Sequence, residues 1–158
     1  MKPLYPNPVS ALRCALLLAC VLGAFAQNSA NDALFDTAKS GTVEDVRAAI
    51  KAGADVNARK NDGTSALIVA AKSNEKLGVV ETLVEAGADV NARGENGWTA
   101  LMYAAKNCEN ADIIKAIISA GGDKSAKDTD GKKIIDYLSD NEKLRATDAY
   151  WEIRDLLY

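Results

Sequence analysis

The sequence predicts an all-α repeat solenoid of about four units, and three observations carry that expectation. The heptapeptide GADVNAR stands at Gly53–Arg59 and returns one period later at Gly87–Arg93. The turn dipeptides Asp62-Gly63, Asn96-Gly97 and Asp130-Gly131 keep the same spacing, as do Ser65-Ala66-Leu67 and Thr99-Ala100-Leu101. Ala70-Ala71-Lys72 recurs as Ala104-Ala105-Lys106 and is anticipated by Thr37-Ala38-Lys39, one position short of a full period earlier. Independent markers at one period mean a stack of supersecondary units, each burying its apolar face only against its neighbours.

One unit is legible in residues 60–93. Asp62-Gly63 reads as the tip of a tight hairpin. Ser65 is a good N-cap, and Ala66 to Ala71 is apolar and helix-favouring, with Ala70 and Ala71 small enough for close helix approach. Ser73 to Gly78 reads as a polar break. A second helix then places Val79, Val80, Leu83 and Val84 on one stripe, and Gly87 stops it as a residue able to take positive φ.

The ends read as caps. Ser29-Ala30-Asn31-Asp32 has capping-box spacing and predicts a helix from Ala30 to Lys39. Thr42-Val43-Glu44-Asp45 repeats that spacing before Val46 to Ala52. The last unit has Lys133 where an N-cap Ser or Thr would stand. Ile134, Ile135 and Leu138 predict its first helix, and after a longer loop Tyr150, Trp151, Ile153, Leu156 and Leu157 line a final one. The expected division is a cap unit at 27–60, full repeats at 61–93 and 94–127, and a C-terminal cap at 128–158.

NDGTSALIVAAK…VVETLVEAGADVNAR and ENGWTALMYAAK…IIKAIISAGGDKSAK resemble the ankyrin repeat, over about residues 29–158. The resemblance implies a stack of helix–turn–helix units with short β-hairpin loops. Ala66 and Ala100 depart from the family proline. Ile68 and Met102 replace its histidine, so the hydrogen bonds that this histidine makes between neighbouring loops are missing. Each central repeat has one extra residue in its helix–helix loop, and Cys108 stands where the family usually has glycine. TALMYAAKN is similar in style to bacterial exported, periplasmic members.

Residues 1–26 read as a leader. Lys2 and Arg13 precede an apolar run from Cys14 to Ala26, which ends in Ala24-Phe25-Ala26. That run is too short to span a bilayer, which needs about 20 residues. A basic start, a short apolar stretch and an A-x-A ending form a secretory signal peptide. Cleavage after Ala26 removes both positive charges and two of the three cysteines, taking the net charge from −3 to −5 and leaving Cys108 alone. Leu17-Leu18-Ala19-Cys20 offers an alternative, a loose lipobox in which lipidated Cys20 would anchor a scaffold to the envelope.

Composition narrows the function. The chain has no histidine, so Ser-His-Asp and Cys-His catalysis and His-ligated zinc are excluded. The acidic balance and 6% aromatic content argue against nucleic acid. Glu44/Asp45, Asp128/Asp130 and Asp136/Asp140 read as solvated charge and Cys108 as an inert loop thiol. The expectation is a non-enzyme without cofactor or metal, a monomer that inserts in no membrane once its leader is removed. It binds another protein or serves as the non-catalytic subunit of an envelope enzyme.

The resemblance implies contacts through the hairpin tips and the concave face of the first helices. The tip residues are Arg59, Lys60, Asn61, Asp62 and Thr64, then Arg93, Glu95, Asn96 and Trp98, then Lys127, Thr129, Asp130 and Lys132. Lys72, Ser73, Lys106 and Asn107 extend them along the inner helices. Trp98 is the expected anchor, with Arg59, Lys60 and Arg93 as cations around it, and Tyr103 is expected in the core.

Overall fold

Helix α1 occupies residues 27–40 of a computed structural model that describes residues 27–158. The leader reading and Cys20 lie outside the described residues. The chain continues through α2 (Val43–Lys51), α3 (Ala66–Ser73), α4 (Leu77–Glu85), α5 (Ala100–Asn107) and α6 (Ala111–Ser119). It ends with α7 (Ile134–Asp140), α8 (Glu142–Arg145) and α9 (Asp148–Leu157). The first helices of the units pack in one row, α3 on α5 on α7. The second helices pack in another, α2 on α4 on α6 on α9. The solenoid expected from the repeats is therefore the architecture observed.

The local rules that predicted the helices operate as expected. Ser65 and Thr99 accept hydrogen bonds from the backbone N–H groups of Ile68 and Met102, capping α3 and α5. Thr42 and Asp45 form a reciprocal capping box, with Thr42 N donating to Asp45 at 2.9 Å and Asp45 N donating to Thr42 Oγ1 at 3.3 Å. At Lys133 half of that device survives, because Asp136 accepts from the Lys133 backbone N–H. Gly87 ends α4 with φ 89°, its N–H bonding to Val84 O while that of Ala88 bonds to Leu83 O. This is a Schellman closure.

Several expectations need correction. Ser29 lies inside α1 rather than at its start, since the helix already runs at residue 27. The break between α3 and α4 is shorter than expected. Helix α4 starts at Leu77 and so includes Gly78, where a Cβ would sit 2.9 Å from Val43 Cγ2 of α2 and glycine leaves room for the two helices to approach. The middle finger is not a bridged hairpin like the others. Single antiparallel bridges join Arg59 to Ser65 and Lys127 to Lys133, whereas Glu95–Gly97 forms a 3-10 turn with Asn96 at φ 57°. Asparagine is among the few residues that tolerate that conformation. In the last unit, α8 fills the expected loop, capped by Asn141. Ile153 alone of the apolar stripe on α9 is fully buried, and Trp151 and Leu156 face outward.

The core is continuous along the stack. Ala70, Ala71, Ala104 and Ala105 are fully buried, so the first helices approach closely, while Leu67, Leu83, Leu101 and Ile117 fill the space between helix layers. Three sets of side chains lace neighbouring units together. Asn57 donates to Gly87 O at 3.0 Å and accepts from Asp89 N at 2.7 Å; Asn91 does the same with Gly121 and Asp123. At the N-terminal end that work is divided between Gln27, which donates to Gly53 O, and Asn31, which accepts from Asp55 N. In the helix–helix loops, Asn74 donates to Ala38 O and Gly41 O, and Asn141 to Ala105 O and Cys108 O. Cys108 occupies the equivalent place with a single weak donor, its Sγ lying 3.2 Å from Ala71 O. Third, Arg59 and Arg93 reach to the carbonyls of Arg93 and Lys127 on the next finger, at 3.2 and 2.8 Å.

Two stability outcomes follow from this packing. Leu101 is 1% exposed, and its change to Ala should cost about 2–5 kcal/mol. Cys108→Asn should instead raise the denaturant midpoint, adding about 1 kcal/mol through amide hydrogen bonds of the kind made at Asn74 and Asn141. Equilibrium urea unfolding measures both; a destabilised Cys108→Asn would show that the site has no room for the amide.

Candidate protein-binding surface

Each finger ends beside the inner helix of its own unit, so side chains from the two converge. On the second finger Trp98 packs between Tyr103 of α5 and Tyr137 of α7, with ring centroids 4.7 and 4.3 Å away. Tilted aromatic pairs at such distances are favourable. Lysines lie over this cluster. Lys72 Nζ is 5.5 Å from the Tyr103 ring, Lys106 is 5.2 Å from Trp98 and 5.7 Å from Tyr137, and Lys132 is 5.8 Å from Tyr137. At the N-terminal end Lys60 sits 4.8 Å over Phe35. Such placements are cation–π contacts, and they hold flexible lysines against rigid rings. Trp98 and Tyr103 are half-buried and Tyr137 is buried.

The expected site residues divide into two groups. Lys60, Asn61, Asp62, Glu95, Asn96, Lys127, Thr129, Asp130 and Lys132 are exposed on or beside the tips, while Thr64 is half-buried. Arg59 and Arg93 are exposed but engaged. Arg59 also pairs with Asp89 at 3.1 Å, and Arg93 donates to Gly97 O at 3.1 Å as well as to the next finger. They are struts rather than cations held out to a partner, a role that no local sequence signal distinguishes. The cations over the aromatic cluster are lysines. Tyr103, expected in the core, is half-buried: it packs against the core and also joins the surface cluster through Trp98. The sequence reading missed Tyr137, whose placement beneath Lys106 depends on the stacking of α7 on α5.

Asp128 also departs from its expected solvated role. It is 8% exposed, accepts from the Tyr137 hydroxyl, and accepts from the backbone N–H groups of Asp130 and Lys132 at 2.9 and 2.8 Å. The Tyr137 hydrogen bond, then those backbone donors, hold its pKa below the ordinary carboxylate value, while burial and the Asp128 charge push that of Tyr137 up. The carboxylate thus organises the third finger and locks Tyr137 under Trp98. Cys108 is buried, and burial, followed by the negative charge of Glu75, pushes its thiol up to about 11. It is a poor nucleophile near neutrality.

Asp45, Asp62, Asp123 and Asp128 all have lowered pKa values, held down chiefly by hydrogen bonds to Thr42, Thr64, Ser125 and Tyr137 respectively. A depressed folded value means that the stabilisation is complete above the unfolded carboxylate pKa and is lost as pH falls through the folded one. Thermal stability should therefore hold at neutral pH and decline below about pH 4. Tyr137→Phe should flatten part of that acid-side decline, measured as melting temperature against pH; an unchanged profile would remove Asp128 from the account.

A family model described as ankyrin repeats (3 copies) matches residues 12–94 and 34–128. No curated protein matches the chain. With the repeat period, the paired helix rows and the laced fingers already established, this match places the chain in the ankyrin repeat family, whose members are generally protein–protein interaction modules.

Proposed function

We propose that this chain is exported from a bacterial cell, is cleaved after Ala26, and binds another protein through the face built by its fingers and inner helices. The observation that carries the binding reading is the Tyr103–Trp98–Tyr137 cluster under Lys72 and Lys106. It presents Trp and Tyr rings on neighbouring units, residue types enriched at interface hot spots, with lysine ammonium groups over them. Support for export is the basic start, the short apolar run and Ala24-Phe25-Ala26. No described helix is long and apolar enough to cross a membrane. The protein acts by complementarity and not by chemistry, as the absence of histidine from the sequence suggests.

Export and binding are tested separately. The intact mass of the protein from the envelope fraction should fit a chain beginning at Gln27. A mass beginning at lipid-modified Cys20 would make it an anchored scaffold, and a full-length cytosolic chain would remove export altogether. Trp98→Ala should weaken partner capture by about 2 kcal/mol or more. Because Trp98 is packed on two rings, the comparison belongs at a temperature where circular dichroism shows the variant still folded. Undiminished capture would move the interface to another face, such as the outer helices around Glu81 and Glu85.

A further inference from the structure

We infer that the partner presents an extended acidic segment, lying across the inner helices with a carboxylate at every third residue. This rests on the binding face proposed above and names what fits it. Lys39, Lys72 and Lys106 hold the same position in three successive units, each exposed in the last turn of its inner helix. No carboxylate lies within 4.0 Å of any of the three among the described residues. A last-turn lysine also complements the helix dipole. That role requires neither a shared register nor aromatic rings beneath the ammonium groups, and Lys72 and Lys106 have both.

The spacing fits an extended chain. Packed helices lie about 8–10 Å apart, and an extended chain in the polyproline II conformation rises about 3.1 Å per residue with three residues per turn, so three residues span one unit and every third side chain returns to the same face. The rings restrain Lys72 and Lys106, which reduces the entropy lost when a carboxylate settles between them. The fourth unit carries Asp140 at the equivalent position, exposed. The cationic column therefore covers three units and then reverses sign. The tips beside it mix signs, Asp62, Glu95 and Asp130 standing among Lys60, Lys127 and Lys132, so no uniformly cationic face meets a continuous polyanion such as nucleic acid, and spaced carboxylates are favoured.

The test uses the chain from Gln27 with Trp151→Phe, so that Trp98 is the sole tryptophan, and reads its fluorescence. The probes are short synthetic peptides, long enough to cross the whole column, with glutamate at every third position, with glutamine in those places, or with all the glutamates contiguous. The spaced-glutamate peptide should bind saturably, weaken with salt, and bind at least about tenfold better than the glutamine peptide. Lys72→Gln/Lys106→Gln should lose roughly tenfold in affinity. Asp140→Lys, which extends the column, should gain severalfold, a change that unfolding cannot mimic. Equal binding of the glutamine or contiguous peptide, or tighter binding of a single-stranded oligonucleotide, overturns the inference. So does a failure of every peptide to bind while the native partner is still captured through Trp98; protein binding would then stand and its acidic character fall. Loss of Trp98-dependent capture as well would remove both.

Discussion

Each unit of this chain is completed by side chains of its neighbours, and the rest of the structure depends on that constraint. Asn57 and Asn91 use both ends of their amides on the backbone of the unit that follows, satisfying groups that the turn after each second helix leaves open. Asn74 and Asn141 reach in the opposite direction, to the carbonyls that end the preceding inner helix. With buried alanines setting the approach of the inner helices, these bonds fix the offset from one unit to the next. No internal unit can shift without breaking contacts on both sides, so the array is expected to behave cooperatively despite its small size.

The same lacing decides which charges are available. Arginines at the repeat position shared by Arg59 and Arg93 are spent on the next finger, while Ile68 and Met102, where the family pattern has histidine, are apolar and buried. Ile68 instead packs its Cδ1 against Gly94, 3.3 Å from where a Cβ would stand. The lysines at the inner-helix ends have no such task. A chain that is acidic as a whole thereby presents a cationic, aromatic-backed stripe on one face, held in place by a buried carboxylate, Asp128, acting through Tyr137.

Much of the fold was legible because its determinants are local and repeated. Caps at Thr42, Ser65 and Thr99, the stop at Gly87 and the apolar stripes depend on residues close together in the chain, and recurrence at a fixed period supplied a second copy against which to read them. Legibility failed where the pattern was broken or singular. The 3-10 tip at Asn96 departs from the bridged tips at the equivalent positions, and the small helix α8 occurs once and has no copy to read against.

By itself the sequence determined the repeat, its period, the helix pairs and the identity of the tips, since these follow from spacing along the chain. Only the tertiary structure decided what the exposed polar residues do. Arg59 and Lys60 are adjacent in sequence and equally basic, yet one is a strut and the other lies over a ring. Trp98 and Tyr137 belong to different units, more than a full period apart in the chain, and touch because α7 stacks on α5. A side chain's partner in a solenoid lies one full unit away, beyond the reach of any local rule, and is set by the rotation and offset that packing imposes between units.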